Sequence, residues 1–148
     1  MDNKKTSYGE LNDLNLKTLI ALSRATNSVH KREYKTIKEG GLTVSQFSVL
    51  EVLYHKGALR VQEIIEKTLS TGGNMTVVIE NLVKDELVMR YKDPEDKRVS
   101  LVSITDKGKA IIDSIFPKHV ENINEIFSSL TAEEKKNLIS LLKKLSGV

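Results

Sequence analysis

The sequence predicts a mainly α-helical chain with a small β-hairpin wing, a winged helix-turn-helix set between long N- and C-terminal dimerisation helices. Three observations predict it. Residues 88–108, VMRYKDPEDKRVSLVSITDKG, read as two short strands around a charged tip and then a helix start. Residues 61–87 just upstream read as two short helices. The first and last thirds of the chain carry apolar residues at helical spacing, more than a small central module can cover.

The elements follow in order. Beyond a polar start expected to fray, Leu11, Leu14, Leu19, Leu22, Ala25, Val29 and Ile37 recur at helical spacing, and Glu39-Gly40-Gly41 ends that helix. Thr43-Val44-Ser45-Gln46 is a capping box, with Leu42 and Phe47 as its hydrophobic staple. Phe47, Leu50, Leu53 and Tyr54 form the stripe of this second helix, and Gly57 stops it. Val61, Ile64 and Ile65 mark a short amphipathic helix over residues 61–68.

Ser70-Thr71-Gly72-Gly73 breaks the chain and offers helix caps. Met75, Val78, Ile79 and Leu82 then form a buried stripe at i, i+3, i+4 and i+7. In the hairpin, residues 89–92 alternate apolar and basic, Asp93-Pro94-Glu95-Asp96 is turn chemistry, and residues 99–104 are rich in β-branched types. Thr105 caps a long helix that includes Phe116 and Phe127, and Pro117 is expected to kink it. Thr131-Ala132-Glu133-Glu134 is a second capping box, opening a terminal helix with Leu138, Leu141, Leu142 and Leu145. Only two strands are expected. The chain divides into residues 1–41 as a dimerisation helix, 42–108 as the winged lobe and 109–148 as further dimerisation helices, all within one integrated domain.

Composition narrows the function. At 148 residues the chain can build a full core, and 39% hydrophobic with 29% charged residues is a globular balance. The net charge of +3 permits a nucleic-acid partner, but 20 acidic residues mean that any basic surface must be local. There is no cysteine, which excludes disulfides, thiolate metal sites and thiol-based peroxide sensing. No apolar run approaches the roughly 18 residues that a membrane span needs, and no signal peptide opens the chain, so a cytoplasmic location is expected.

The residues that could carry chemistry point to duplex DNA. A recognition helix needs an anchored inner face and short polar groups outside, near its N-terminus. Thr71, Gly72, Asn74, Thr76, Val77, Asn81 and Lys84 occupy the outer positions. The Gly72-Gly73 pair lets backbone approach phosphates; Asn74 and Asn81 suit adenine edges, and Thr76 and Val77 suit thymine methyls. In the hairpin, Arg90, Lys92 and Lys97 suit phosphates, and Arg98 suits a narrow minor groove.

These residues also resemble a known family. Asp96-Lys97-Arg98, five residues, then Ile104-Thr105-Asp106-Lys107-Gly108 resembles the D-x-R-x5-[LI]-T-x-x-G wing signature of the MarR family. The resemblance covers nearly the whole chain and implies a homodimeric transcription regulator, typically a repressor released by a small ligand. It also implies that Asp96 orients Arg98. Two positions depart from the pattern. Val77 stands where many such helices carry arginine, which removes a bidentate guanine contact. Glu86 stands where many carry glycine, so the helix end is expected to be built differently. The segments Tyr54-His55-Lys56-Gly57 and Ile115-Phe116-Pro117-Lys118-His119, with Glu125-Ile126-Phe127, resemble the catechol- and hydroquinone-responsive branch. That implies a small phenolic or quinone-like effector, bound without cysteine. The implied pocket lies where outer helices meet the lobe, with Arg24, His30, Tyr34, Phe47 and Tyr54 as candidate walls; core packing is the competing reading for Phe47 and Tyr54.

No cofactor and no metal are expected. His30 and Glu33 lie one helical turn apart, but His55 and His119 are distant in sequence, so a solvated helix face is the simpler reading. A metal-responsive regulator of the same fold is one alternative, and a helical protein-binding adaptor another. An enzyme is not expected: there is no Gly-rich phosphate loop, nucleophile elbow or HExxH.

Overall fold

The apolar spacing at the start of the chain folds as α1 (Glu10–Glu39) in the computed structural model, which describes residues 5–68 and 72–147. Six helices and three strands follow the order α1, α2 (Val44–Lys56), β1 (Leu59–Arg60), α3 (Val61–Thr68), α4 (Gly72–Lys84), β2 (Val88–Lys92), β3 (Ser100–Ile104), α5 (Asp106–Ile126) and α6 (Ala132–Ser146). The helix starts are set by side-chain caps. Thr43 Oγ1 accepts from Gln46 N while Gln46 Oε1 accepts from Thr43 N, and Leu42 and Phe47 are both buried beside this box. Thr131 and Glu134 repeat the same reciprocal pair at α6. Thr105 Oγ1 accepts from Gly108 N at α5, which then runs unbroken through Pro117.

The strands form one antiparallel sheet in the order β1-β3-β2. The hairpin register pairs Val88 with Ile104, Arg90 with Val102 and Lys92 with Ser100. The expectation of two strands is corrected by β1, which pairs Leu59 with Val102 and Arg60 with Leu101. Two residues are too few to show a period-2 pattern, so β1 is written only in its long-range partner.

The core lies under the sheet. Leu50 and Leu53 of α2, Ile64 of α3, Met75, Ile79 and Leu82 of α4, Val102 of β3 and Ile112 of α5 are all buried there, with Ile37 from the end of α1. At about 1.5–3 kcal/mol for each large aliphatic side chain fully buried, this cluster fixes the orientation of α4 against the sheet. α5 packs on both α1 and α2, and Asn122 Nδ2 donates to Arg32 O at 2.9 Å.

The two ends differ from this lobe. Leu11, Leu14, Leu19 and Ile20 of α1 stay exposed, and no residue of α6 is buried; Leu145 is 69% exposed. A 15-residue helix that buries nothing in its own chain gains little from propensity alone.

Candidate nucleic-acid interface

The anchored stripe of α4 behaves as its spacing dictates. Met75, Val78, Ile79 and Leu82 are buried, which turns Asn74, Thr76, Val77, Asn81 and Lys84 to the exposed side. Val77 is 55% exposed, an apolar group free to meet a base methyl. Gly72 lies in the first turn of α4; Thr71 and Ser70, expected to contact DNA and to cap the helix, lie outside the described residues.

The end of α4 is built as it would be with glycine, which corrects the expectation of a different termination. Glu86 has φ 61°, in the left-handed region. Leu87 N donates to Leu82 O at 2.9 Å and Glu86 N to Val83 O at 3.0 Å, the paired bonds of a Schellman motif. Thr105 Oγ1 donates to Glu86 O at 2.7 Å and Lys107 Nζ to Asp85 O at 2.9 Å, so the start of α5 clamps this turn. A side chain in left-handed backbone costs about 1–2 kcal/mol. Glu86→Gly is therefore expected to stabilise the fold by about 0.5–1 kcal/mol once glycine's own entropy cost is deducted. Denaturant titration reads this directly, and a destabilised variant would mean that the Glu86 side chain itself supports the turn.

The wing tip is organised by aspartates. Asp93 Oδ1 accepts from Glu95 N at 2.9 Å, and Asp93 N donates to Val99 O at 2.9 Å. Asp96 grips Arg98 with both oxygens: Nε donates to Oδ1 at 3.0 Å and Nη2 to Oδ2 at 3.1 Å, while Arg98 N also donates to Oδ1. The Arg98 side chain is nevertheless 91% exposed. Asp96 presets its direction without covering it.

The Arg98 side chain, then its backbone N–H, and then the charge of Arg60 hold the Asp96 carboxyl below its ordinary 3.8; Asp96 in turn raises Arg98. A depressed carboxyl keeps its pair at all pH above the ordinary value and loses it only as pH falls through the lowered one. The clamp is therefore set at any pH where DNA binding is ordinarily measured.

Arg90, Lys92 and Lys97 are exposed on or beside the hairpin, and Lys92 Nζ donates to Ser100 Oγ at 3.2 Å. Arg60 was missed in the sequence; only the pairing of β1 with β3 brings its charge near the wing.

The five candidate pocket residues do not share one place. His30 and Tyr34 line a cavity of about 370 Å³ between α1, α2, α3 and α4. Phe47 is a core residue whose ring meets the ring of His119 at 4.9 Å. Tyr54 sits at the surface, donating to Asp113 Oδ1 at 2.5 Å, and that carboxylate raises its pKa, through the hydrogen bond first and its charge second. Arg24 is exposed on α1 and lines none of these sites. The structure does bring the two effector-branch segments together: His55 lies 5.0 Å from Phe116, and Phe116 lies 6.0 Å from His119. His119 is only 9% exposed, and its Nδ1 is buried without a hydrogen-bond partner among the described residues. The signal for it was present, since His119 shares a helical face with Ile112, Ile115 and Ile126.

A sequence profile described as the MarR family matches residues 42–100, from just before α2 to the first residue of β3. The chain is also 38% identical over 135 residues to the HTH-type transcriptional regulator MhqR of Bacillus subtilis (strain 168), spanning 91% of this chain and 93% of that protein. The chain belongs to the MarR family of transcriptional regulators. Its MarR fold is matched by Bordetella bronchiseptica BpsR, whose DNA binding is regulated by 6-hydroxynicotinic acid. That match has a TM-score of 0.77 at 30% identity, over 88% of this chain and 98% of BpsR. A cysteine-to-serine mutant of E. coli MarR complexed with operator DNA shares the fold at TM-score 0.80, over 93% of this chain and 99% of that one, at 24% identity. This MarR-family chain is thus a DNA-binding transcriptional regulator and not an enzyme.

Proposed function

We propose that two copies of this chain bind a pseudo-palindromic operator as a homodimeric repressor, released by a phenolic or quinone-like effector in the cytoplasm. The observation that carries the DNA half is the Asp96–Arg98 clamp: a guanidinium fixed in direction yet almost wholly exposed, beside a helix whose inner face is anchored. Arg98 enters the minor groove beside the half-site while Asn74, Thr76, Val77 and Asn81 face the major groove; Arg90, Lys92, Lys97 and Lys84 meet phosphates. Arg98→Ala should leave the melting curve unchanged, because the side chain packs on nothing but Asp96, and weaken operator binding at least about tenfold in a gel shift. Unchanged affinity would remove the wing from the reading.

The exposed leucines of α1 and α6 supply the pairing surface. No described helix is long and apolar enough to cross a membrane, which accords with action in the cytoplasm.

The effector's seat is the aromatic junction of α2 and α5. A buried imidazole nitrogen without a partner costs about 1–3 kcal/mol, and a ligand hydroxyl would satisfy His119 Nδ1 while its ring lies on Phe47. The likeness of residues 54–57, 115–119 and 125–127 to the hydroquinone-responsive branch favours that chemistry, as does the hydroxylated ring that regulates BpsR. His119→Leu is expected to keep operator affinity but to need at least about tenfold more hydroquinone for release. An unaltered hydroquinone response would move the effector elsewhere.

A further inference from the structure

The cavity beside His30 differs in chemistry from the α2–α5 aromatic junction. Its outer wall is one face of α1, where His30, Glu33 and Tyr34 lie at helical spacing; Ser45 and Ser48 of α2 face them, and Met75 of α4 closes the apolar side. The His30 and Tyr34 rings are stacked, 5.4 Å between centroids and 14° from parallel. His30 Nδ1 lies 3.1 Å from Glu33 Oε2, a contact that occupies one of the carboxylate's several acceptor directions. Among the described residues lining the cavity there is no lysine or arginine, and Glu33 is the carboxylate. An anion would therefore meet an unfavourable charge, whereas a planar donor would meet an acceptor and an aromatic edge.

We infer that this cavity is a second small-molecule site, selective for planar aromatic ligands that carry cationic or neutral N–H donors, such as amidines and amino-heterocycles. The donor pairs with Glu33, the ring extends the His30–Tyr34 stack, and the serine hydroxyls contact the ligand's polar rim. At about 370 Å³ the space lies within the range of drug-sized pockets. Met75 is fully buried in the first turns of the recognition helix, so an occupant touches the seat of α4 directly. By linkage, any change it makes in operator affinity is returned by operator DNA as the same factor in ligand affinity.

The test uses benzamidine and its anionic counterpart benzoate against the full chain, read by backbone amide shifts. Benzamidine is expected to bind at about 1 mM, as a fragment of that size should, with shifts centred on residues 30–34, 44–48 and 75. Benzoate should shift none of these. Glu33→Gln, at a partly exposed position that leaves the fold alone, should weaken benzamidine at least about fivefold, and Ser48→Phe should fill the cavity and abolish binding. His119→Leu should leave benzamidine binding unaltered, which separates this site from the phenol seat. Equal binding of benzoate, indifference to Glu33→Gln, or loss of benzamidine in His119→Leu would each overturn the assignment.

Discussion

Leu141→Asp combined with Leu145→Asp is expected to turn the protein into a folded monomer that barely binds its operator. Both side chains project from α6 and are at least 64% exposed, so the substitution removes nothing from the core of the winged lobe. In the paired protein each leucine contributes about 1.5–3 kcal/mol on burial, and a carboxylate in its place must be desolvated without a partner. The paired state is lost while Phe47, Leu50, Met75, Ile79 and Val102 still pack as before. Operator affinity falls because two lobes no longer bind as one unit; losing that linkage costs about 10²–10⁴-fold. Sedimentation at micromolar concentration and a gel shift read the two consequences. A variant that stays dimeric would show that α6 does not form the pairing surface.

Gly108→Ala is expected to destabilise the lobe by about 3 kcal/mol, the upper range for forcing a methyl into a filled site, and to lower Tm by roughly 10 °C. A Cβ at Gly108 would run into the backbone carbonyl of Leu87 and into Ile104 Cγ1. The Leu87 carbonyl cannot move away freely, since it accepts from Thr105 N at 3.1 Å. The same few residues carry the N-cap of α5 and the clamp on Glu86. The spacing of Thr105 and Gly108 thus has a physical cause: threonine caps the helix, and glycine lets the end of the α4 turn lie against it. Calorimetry on the variant checks the value. A Tm within about 2 °C of the parent would mean the backbone relaxes without penalty.

The local devices of this fold were legible because they rest on residues a few places apart. Both capping boxes, the Thr105 cap, the buried stripe of α4 and the pairing of Asp96 with Arg98 are all fixed within one or two turns of chain. What stayed hidden depends on distant partners or on one backbone angle. β1 exists because Leu59 and Arg60 find β3 some 40 residues later. Glu86 takes a left-handed angle that nothing in its own side chain announces, held by Thr105 and Lys107. The pocket candidates separated for a related reason. Phe47 and Tyr54 share a helix face by spacing, yet Phe47 meets His119 inside and Tyr54 meets Asp113 at the surface, and only the path of α5 decides this.

Hydroxyl-radical footprinting of the operator with the parent chain and with Arg98→Ala tests the central claim most directly. The parent should protect two half-sites about 34–36 Å apart, symmetric about a dyad, each flanked by a protected minor-groove stretch. Arg98→Ala should keep the half-sites at raised protein concentration and lose the flanking minor-groove protection. A single one-sided footprint, or flanks that survive the loss of Arg98, would contradict the account.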